Sequence, residues 1–164
     1  MATRNTGRRR APRRTATGRR TSAPAPPTVR YIESSALVAA LLEHDRAAMA
    51  RPAAGARVVT SALTFAETMR AVVRARVAGR LTAEQERAAV RALGTFRRRC
   101  FVLDVDDAVL RRAGRRFPVE PIRTLDAVHL ATVERLDEPP QLVIIVTRDE
   151  RVRDNAVALG YGVA

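Results

Sequence analysis

Four carboxylates, Glu33, Glu67, Asp126 and Asp149, are placed along the chain so that they could act together. Glu33 directly follows Tyr31-Ile32 in a β-rich run. Glu67 lies in the helix predicted after Arg57-Val58-Val59-Thr60. Asp126 sits in the first turn of the helix predicted to open at Thr124. Asp149 lies just beyond the apolar run Leu142-Val143-Ile144-Ile145-Val146. If the four converge, like charges repel, and either some are protonated or a cation sits among them. Carboxylate oxygens without Cys or His ligands suit hard cations, Mg²⁺ or Mn²⁺. Such ions hold a phosphodiester, lower the pKa of a bound water and stabilise the leaving oxygen. The chemistry would be metal-assisted hydrolysis of a nucleic-acid backbone. No GxxxxGK loop is present and no GxGxxG follows the first strand, which argues against the nucleotide-binding readings of such a chain.

Spacing alone leaves convergence open, because each acid has a structural explanation as well. Asp126 would complement the dipole of its helix. Asp149 would cap the last helix. Glu67 would pair with Arg70 on a solvated face. Glu33 is the hardest to account for in this way, since an unpaired carboxylate in a central strand is costly.

The elements that must position these acids alternate between two periods. Residues 29–33 read as a first strand, and Ser34 or Ser35 as the cap of the helix that follows. Residues 45–55 read as a frayed helix end and loop. Arg57–Thr60 is a second strand, and Ser61 opens a helix to about Val77, ended by Gly79. Thr82 with Gln85 has capping-box spacing and starts a helix to about Arg97. Residues 100–103 form a third strand, 106–116 a helix, and 117–123, with two prolines, a loop. Thr124 caps a helix through Leu136. Residues 142–146 read as a parallel strand buried on both faces. A helix over about 149–159 is stopped by Gly160, and residues 161–163 form a short edge strand. The alternation predicts an α/β fold with a largely parallel sheet, whose ligands bind beyond the carboxyl ends of the strands.

The 164 residues suffice for one domain with one sizeable core. No apolar run reaches the ~18 residues of a membrane span. Cys100 is the one cysteine, which excludes an internal disulfide and a thiolate metal site and suits a small core residue in a cytoplasmic protein. Two histidines, His44 and His129, are too few for a His-based metal site. His44 is expected to be exposed. His129 falls on one helical stripe with Leu125, Val128 and Thr132, and reads as a satisfied, partly buried histidine rather than a general base.

All 30 basic residues are Arg, a bias that suits a GC-rich genome and lowers the weight of charge as a functional signal. Residues 1–30 carry nine Arg and no acid, whereas the remaining 134 hold 21 basic and 17 acidic groups. Residues 1–28 lack large apolar side chains after Met1 and are expected to be a disordered Arg-rich tail, either solvated, RNA-binding, or an artefact of start-site choice at Val29. Deleting residues 1–28 is expected to leave the salt dependence of RNA affinity unchanged; a shallower slope would make the tail an RNA contact. Arg97-Arg98-Arg99, Arg111-Arg112 and Arg115-Arg116 suit phosphate contacts, solvated faces or an acidic partner equally well. With four Phe, two Tyr and no Trp, base stacking is not expected to dominate binding.

The segments around the acids resemble the PIN-domain family, and within it the VapC-like toxins. Tyr31-Ile32-Glu33-Ser34-Ser35-Ala36-Leu37-Val38 resembles the opening segment of that family. Thr60-Ser61-Ala62-Leu63-Thr64-Phe65-Ala66-Glu67 resembles the second. Arg123-Thr124-Leu125-Asp126-Ala127-Val128-His129-Leu130-Ala131-Thr132 is the closest match. Val146-Thr147-Arg148-Asp149 with Arg151-Val152 resembles the last. The four stand in register over residues 29–164. The resemblance implies a three-layer α/β/α fold with a mainly parallel sheet of four or five strands. It implies a Mg²⁺- or Mn²⁺-dependent endoribonuclease that forms a homodimer and is inhibited by a cognate antitoxin. Glu33, Glu67, Asp126 and Asp149 are the implied metal ligands, with Ser35 and Thr147 as supporting hydroxyls. The family usually has Asp where this chain has Glu33. The extra methylene is expected to weaken activity or favour Mn²⁺, because Mg²⁺ demands near-ideal geometry. The rival reading is a catalytically weakened PIN-like module that binds nucleic acid or protein. A DNA nuclease related to repair enzymes is a third.

Overall fold

The computed structural model describes residues 29–45 and 55–164, together with Met1 and Ala47. The expectations for the tail and for most of residues 45–55 fall outside the described residues.

Five strands form one parallel sheet: β1 (Val29–Ile32), β2 (Arg57–Ser61), β3 (Phe101–Leu103), β4 (Val143–Val146) and β5 (Gly162–Val163), in the order β3-β2-β1-β4-β5. The period-2 alternation of strand side chains sends neighbours to opposite faces. Val29, Tyr31, Val143 and Ile145 enter one apolar cluster, while Ile32, Ile144 and Val146 enter the other. On the second face lie α1 (Ser34–Leu42), α2 (Ala62–Val77) and α3 (Ala83–Arg97), through Leu37, Phe65 and Phe96. The first face carries α4 (Asp107–Ala113), α5 (Thr124–Glu134) and α6 (Glu150–Ala158), through Val109, Leu130 and Val152. Two helical layers thus sandwich the sheet, the three-layer α/β/α arrangement. Among the described residues no helix is long and apolar enough to cross a membrane.

Local chemistry accounts for most boundaries. Ser61 caps α2 by accepting from the Leu63 N–H, and Thr82 with Gln85 makes a full capping box on α3. Gly79 and Gly160 follow the caps of α2 and α6 at φ of 71° and 88°, the left-handed turn that glycine takes without strain. Other boundaries differ from the sequence expectation. Neither Ser34 nor Ser35 caps α1; Glu33 does. Thr124 lies inside α5, whose N-cap is Arg123 with no side-chain cap bond. The helix expected over 106–116 is only Asp107–Ala113, capped by Asp106. Residues Pro140–Leu142 form a 3-10 turn, so β4 starts one residue later than its apolar run. Cys100 precedes β3, half-buried beside the α1–α3 cluster. His44 is exposed, as expected.

The loop before α5 is pinned at several points. The Glu120 carboxylate accepts from the Phe117 and Ile122 N–H groups, at 3.0 and 2.8 Å. The buried Asn155 side chain accepts from the Val119 N–H and donates to the Val119 carbonyl, at 2.9 and 2.8 Å. These contacts fix the approach to Asp126. Two of the candidate phosphate-binding arginines are engaged in packing. Arg97 lies over the Phe65 ring, and Arg112 lies over Phe117 while pairing with Glu134.

Candidate active site

In the order β3-β2-β1-β4-β5, the crossovers leave in opposite directions on either side of the β1–β4 pair. The carboxyl ends of two such strands open a crevice, the usual ligand position of an open parallel sheet. Glu33 follows β1 there, and Thr147 and Asp149 follow β4.

Glu33 is 3% exposed, and four donors hold its carboxylate. Oε1 accepts from the Ser34 hydroxyl at 2.6 Å. Oε2 accepts from the Ser35 N–H at 3.0 Å, from the Ser35 hydroxyl, and from the Thr147 hydroxyl at 2.9 Å. A buried charge needs such donors. Only Oε1 keeps a lone pair without a donor, and His129 Nε2 lies 3.6 Å from it.

Glu67, on the second turn of α2, meets His129 Nε2 at 2.6 Å and not Arg70. Burial pushes the Glu67 carboxyl up, but its favourable contacts, the His129 hydrogen bond first and Ser34 and Arg74 behind it, together outweigh burial and leave it below its ordinary range. Asp126 opens α5. Burial pushes its carboxyl up, and the charges of Asp149 and Glu33 push the same way. Asp126 and Asp149 lie outside the tight group that Glu33 and Glu67 form with His129. Asp149 caps α6, its Oδ1 accepting from the Arg151 and Val152 N–H groups at 2.8 and 3.3 Å. Asp149 thus caps α6 through one carboxylate oxygen, and among the described residues the other makes no such contact.

His129 is buried with both ring nitrogens engaged, Nδ1 lying 2.8 Å from the Tyr31 hydroxyl. It is thus a satisfied buried histidine, and it also touches two of the four acids. One carboxylate oxygen each from Glu33 and Glu67 and one nitrogen of His129 lie within 4.8 Å of one another. A count of two histidines in the sequence gives no sign that one of them arrives among carboxylates. Tyr31 and Ser34 carried no assigned role in the site from sequence. A phenol predicted on a fully buried strand is the available signal, since such a group needs a polar partner.

The residues present fit a divalent cation. Among the described residues, Asp126 Oδ2 is buried with no hydrogen-bond partner, on a carboxylate that burial and its acidic neighbours push up. A cation bound there would satisfy that oxygen and cancel the repulsion.

The PIN domain family model matches residues 30–158. Ribonuclease VapC46 of Mycobacterium tuberculosis (strain ATCC 25618 / H37Rv) is 39% identical over 139 residues, covering 81% of this chain and 94% of that protein. Ribonuclease VapC35 of Mycobacterium tuberculosis (strain CDC 1551 / Oshkosh) is 32% identical over 137 residues, covering 81% of this chain and 93% of its own length. A solved structure of VapBC-1 from nontypeable Haemophilus influenzae aligns with a TM-score of 0.49 and 15% identity, over 83% of this chain and 96% of that one. With the family match spanning nearly all the described elements and a relative above one-third identity, this chain belongs to the PIN-domain family.

Proposed function

We propose that this protein is a toxin-type, metal-dependent endoribonuclease that hydrolyses RNA phosphodiester bonds and is inhibited by a cognate antitoxin. The observation that supports the reading is the meeting of Glu33, Glu67 and His129 within 4.8 Å of one another, with a buried, unsatisfied Asp126 Oδ2 on a carboxylate that Asp149 and Glu33 push up. The ribonuclease relatives support the choice of RNA.

Glu67, Asp126, the free oxygen of Asp149 and Oε1 of Glu33 would hold Mg²⁺ or Mn²⁺. When bound, the ion supplies a water of lowered pKa and charge stabilisation at the phosphate. The chain supplies the frame. Ser34, Ser35 and Thr147 fix Glu33, and His129 holds Glu67. Surface arginines attract the RNA backbone. The protein acts in the cytoplasm, as a homodimer, and its acidic crevice is the point at which the antitoxin blocks RNA.

Cleavage of a structured RNA mixture by antitoxin-free protein tests this. Cutting is expected with Mg²⁺ or Mn²⁺ and none with EDTA. Binding without cutting under every metal would favour the rival reading, a catalytically weakened module that binds nucleic acid or protein. One observation favours that rival: four donors already occupy Glu33, which leaves it a poor ligand. Glu33→Asp is accordingly expected to raise Mg²⁺-supported cleavage relative to Mn²⁺. An unchanged Mg²⁺ rate would mean that the longer carboxylate is harmless or compensated.

A further inference from the structure

Two buried polar residues lie behind the acids and are not accounted for by the metal-binding reading. Tyr31 and His129 are 0% and 1% exposed, and their rings meet edge-on, 72° between planes with centroids 6.1 Å apart. The Tyr31 hydroxyl is 2.8 Å from Nδ1, and Nε2 is 2.6 Å from Glu67 Oε2. A neutral imidazole carries one hydrogen, on one nitrogen or the other. A hydrogen on Nδ1 would leave a bare Nε2 lone pair facing a carboxylate oxygen at 2.6 Å, which is repulsive. A hydrogen on Nε2 gives a charge-assisted bond to Glu67 and leaves Nδ1 to accept from the phenol.

We propose that Tyr31 and His129 are a positioning pair for Glu67. Glu67 fixes the hydrogen of His129 on Nε2, Tyr31 donates to Nδ1 and holds the ring in place, and the Nε2–H keeps the Glu67 carboxylate facing His129. The pair also ties three elements together. Tyr31 stands two residues before Glu33 on β1, His129 one helical turn after Asp126 on α5, and Glu67 on α2. An unheld glutamate on a helix samples many rotamers, and fixing it before a ligand arrives removes that entropy cost from binding. The consequence for metal binding rests on the proposed metal-dependent function, whereas the hydrogen-bond arrangement does not.

The test has two arms on the full chain. In the first, ¹⁵N-resolved NMR of the metal-free protein at about pH 8, above the ordinary imidazole range, reads which His129 nitrogen bears hydrogen. Nε2 is expected in the wild type, and also in Tyr31→Phe, where Glu67 still faces it. Hydrogen on Nδ1 in the wild type would overturn the proposal. In the second, Mn²⁺ affinity is measured without RNA, by calorimetry or electron spin resonance. His129→Leu is expected to lose about 10- to 100-fold, the usual cost of removing a group that orients a ligand. His129→Gln, which keeps an N–H within reach of Glu67, is expected to restore most of that loss. Tyr31→Phe removes a single hydroxyl, keeps the core volume and is expected to lose several-fold, so the question survives if the Leu variant does not fold. Undiminished Mn²⁺ binding in folded Leu and Phe variants would reduce the pair to core packing and overturn the proposal. A Gln variant as weak as Leu would make the imidazole itself a ligand and overturn it equally. A wild type that binds no Mn²⁺ would sink the metal-dependent function, while the NMR arm would still decide the hydrogen-bond arrangement.

Discussion

Asp126→Asn is expected to abolish RNA cleavage while making the metal-free protein more stable. Loss of activity follows from removing a proposed ligand of the cation that would activate water and offset charge at the phosphate, and at least a ~100-fold fall is the scale for such a group. The rise in stability follows from the direction of its pKa. Burial, then Asp149 and Glu33, holds the Asp126 carboxyl above its ordinary 3.8. The folded state therefore binds this proton more tightly than the unfolded state does. Stability is lost as pH rises through that window, and the deficit persists at neutral pH. Asn carries no charge and removes the deficit. Asp126 is only half-buried, so solvent screening keeps the gain on the order of 1 kcal/mol, or about 2–4 °C in a chain of this size. RNA cleavage assays and melting curves in EDTA read the two effects. An Asn variant that cuts normally would remove Asp126 from the reaction. A lower melting temperature would mean that an attractive contact, not repulsion, surrounds it.

Glu33→Ala is expected to have the largest effect on folding, a loss on the order of 3–5 kcal/mol. The variant strands the buried Ser34 and Thr147 hydroxyls and the partly buried Ser35 hydroxyl and N–H, and removes the cap of α1. Each unmet donor costs roughly 1 kcal/mol or more. Since a domain has a total of about 5–15 kcal/mol, much of the stability would go. Urea unfolding followed by circular dichroism measures it. Glu33→Gln, which preserves volume but supplies one acceptor oxygen in place of two, is expected to fall between wild type and Ala. If Ala unfolds at the wild-type urea midpoint, the four hydrogen bonds contribute nothing net, and the cost of burying Glu33 must be offset elsewhere.

The parts of the fold carried by periodicity were legible in the sequence. The apolar run ending at Val146, the helical spacing of Leu63 to Val73 and the capping box at Thr82 each appear where their local chemistry places them. The errors came where two local signals competed. Ser34 and Ser35 are good caps by type, yet Glu33 takes the role because its carboxylate reaches the Ser35 N–H and the two serine hydroxyls turn toward it. Thr124 is also a good cap by type, but α5 begins one residue earlier with no side-chain cap. The acids themselves could be picked out singly by position after strands. Which of them meet could not, because that depends on pairing between distant segments. Glu67 illustrates the limit: Arg70 is three residues away and on the same helix, while the partner it takes, His129, is 62 residues away. No local rule ranks a partner at that distance above a neighbouring arginine.

The order of the strands also governs when the site can exist. β1 pairs with β4, and the Glu33–Thr147 bond closes a separation of 114 residues. Contacts so distant along the chain form late and slowly, because a long loop must be closed before they stabilise anything. Synthesis runs from the N-terminus, so Glu33 and Glu67 leave the ribosome well before Asp126 and Asp149 are made. Until β4 docks against β1, Glu33 lacks the Thr147 donor and the crevice has only one wall. An unfinished chain therefore lacks the β1–β4 pairing and the Thr147 donor to Glu33, so the candidate site forms only after β4 has been made.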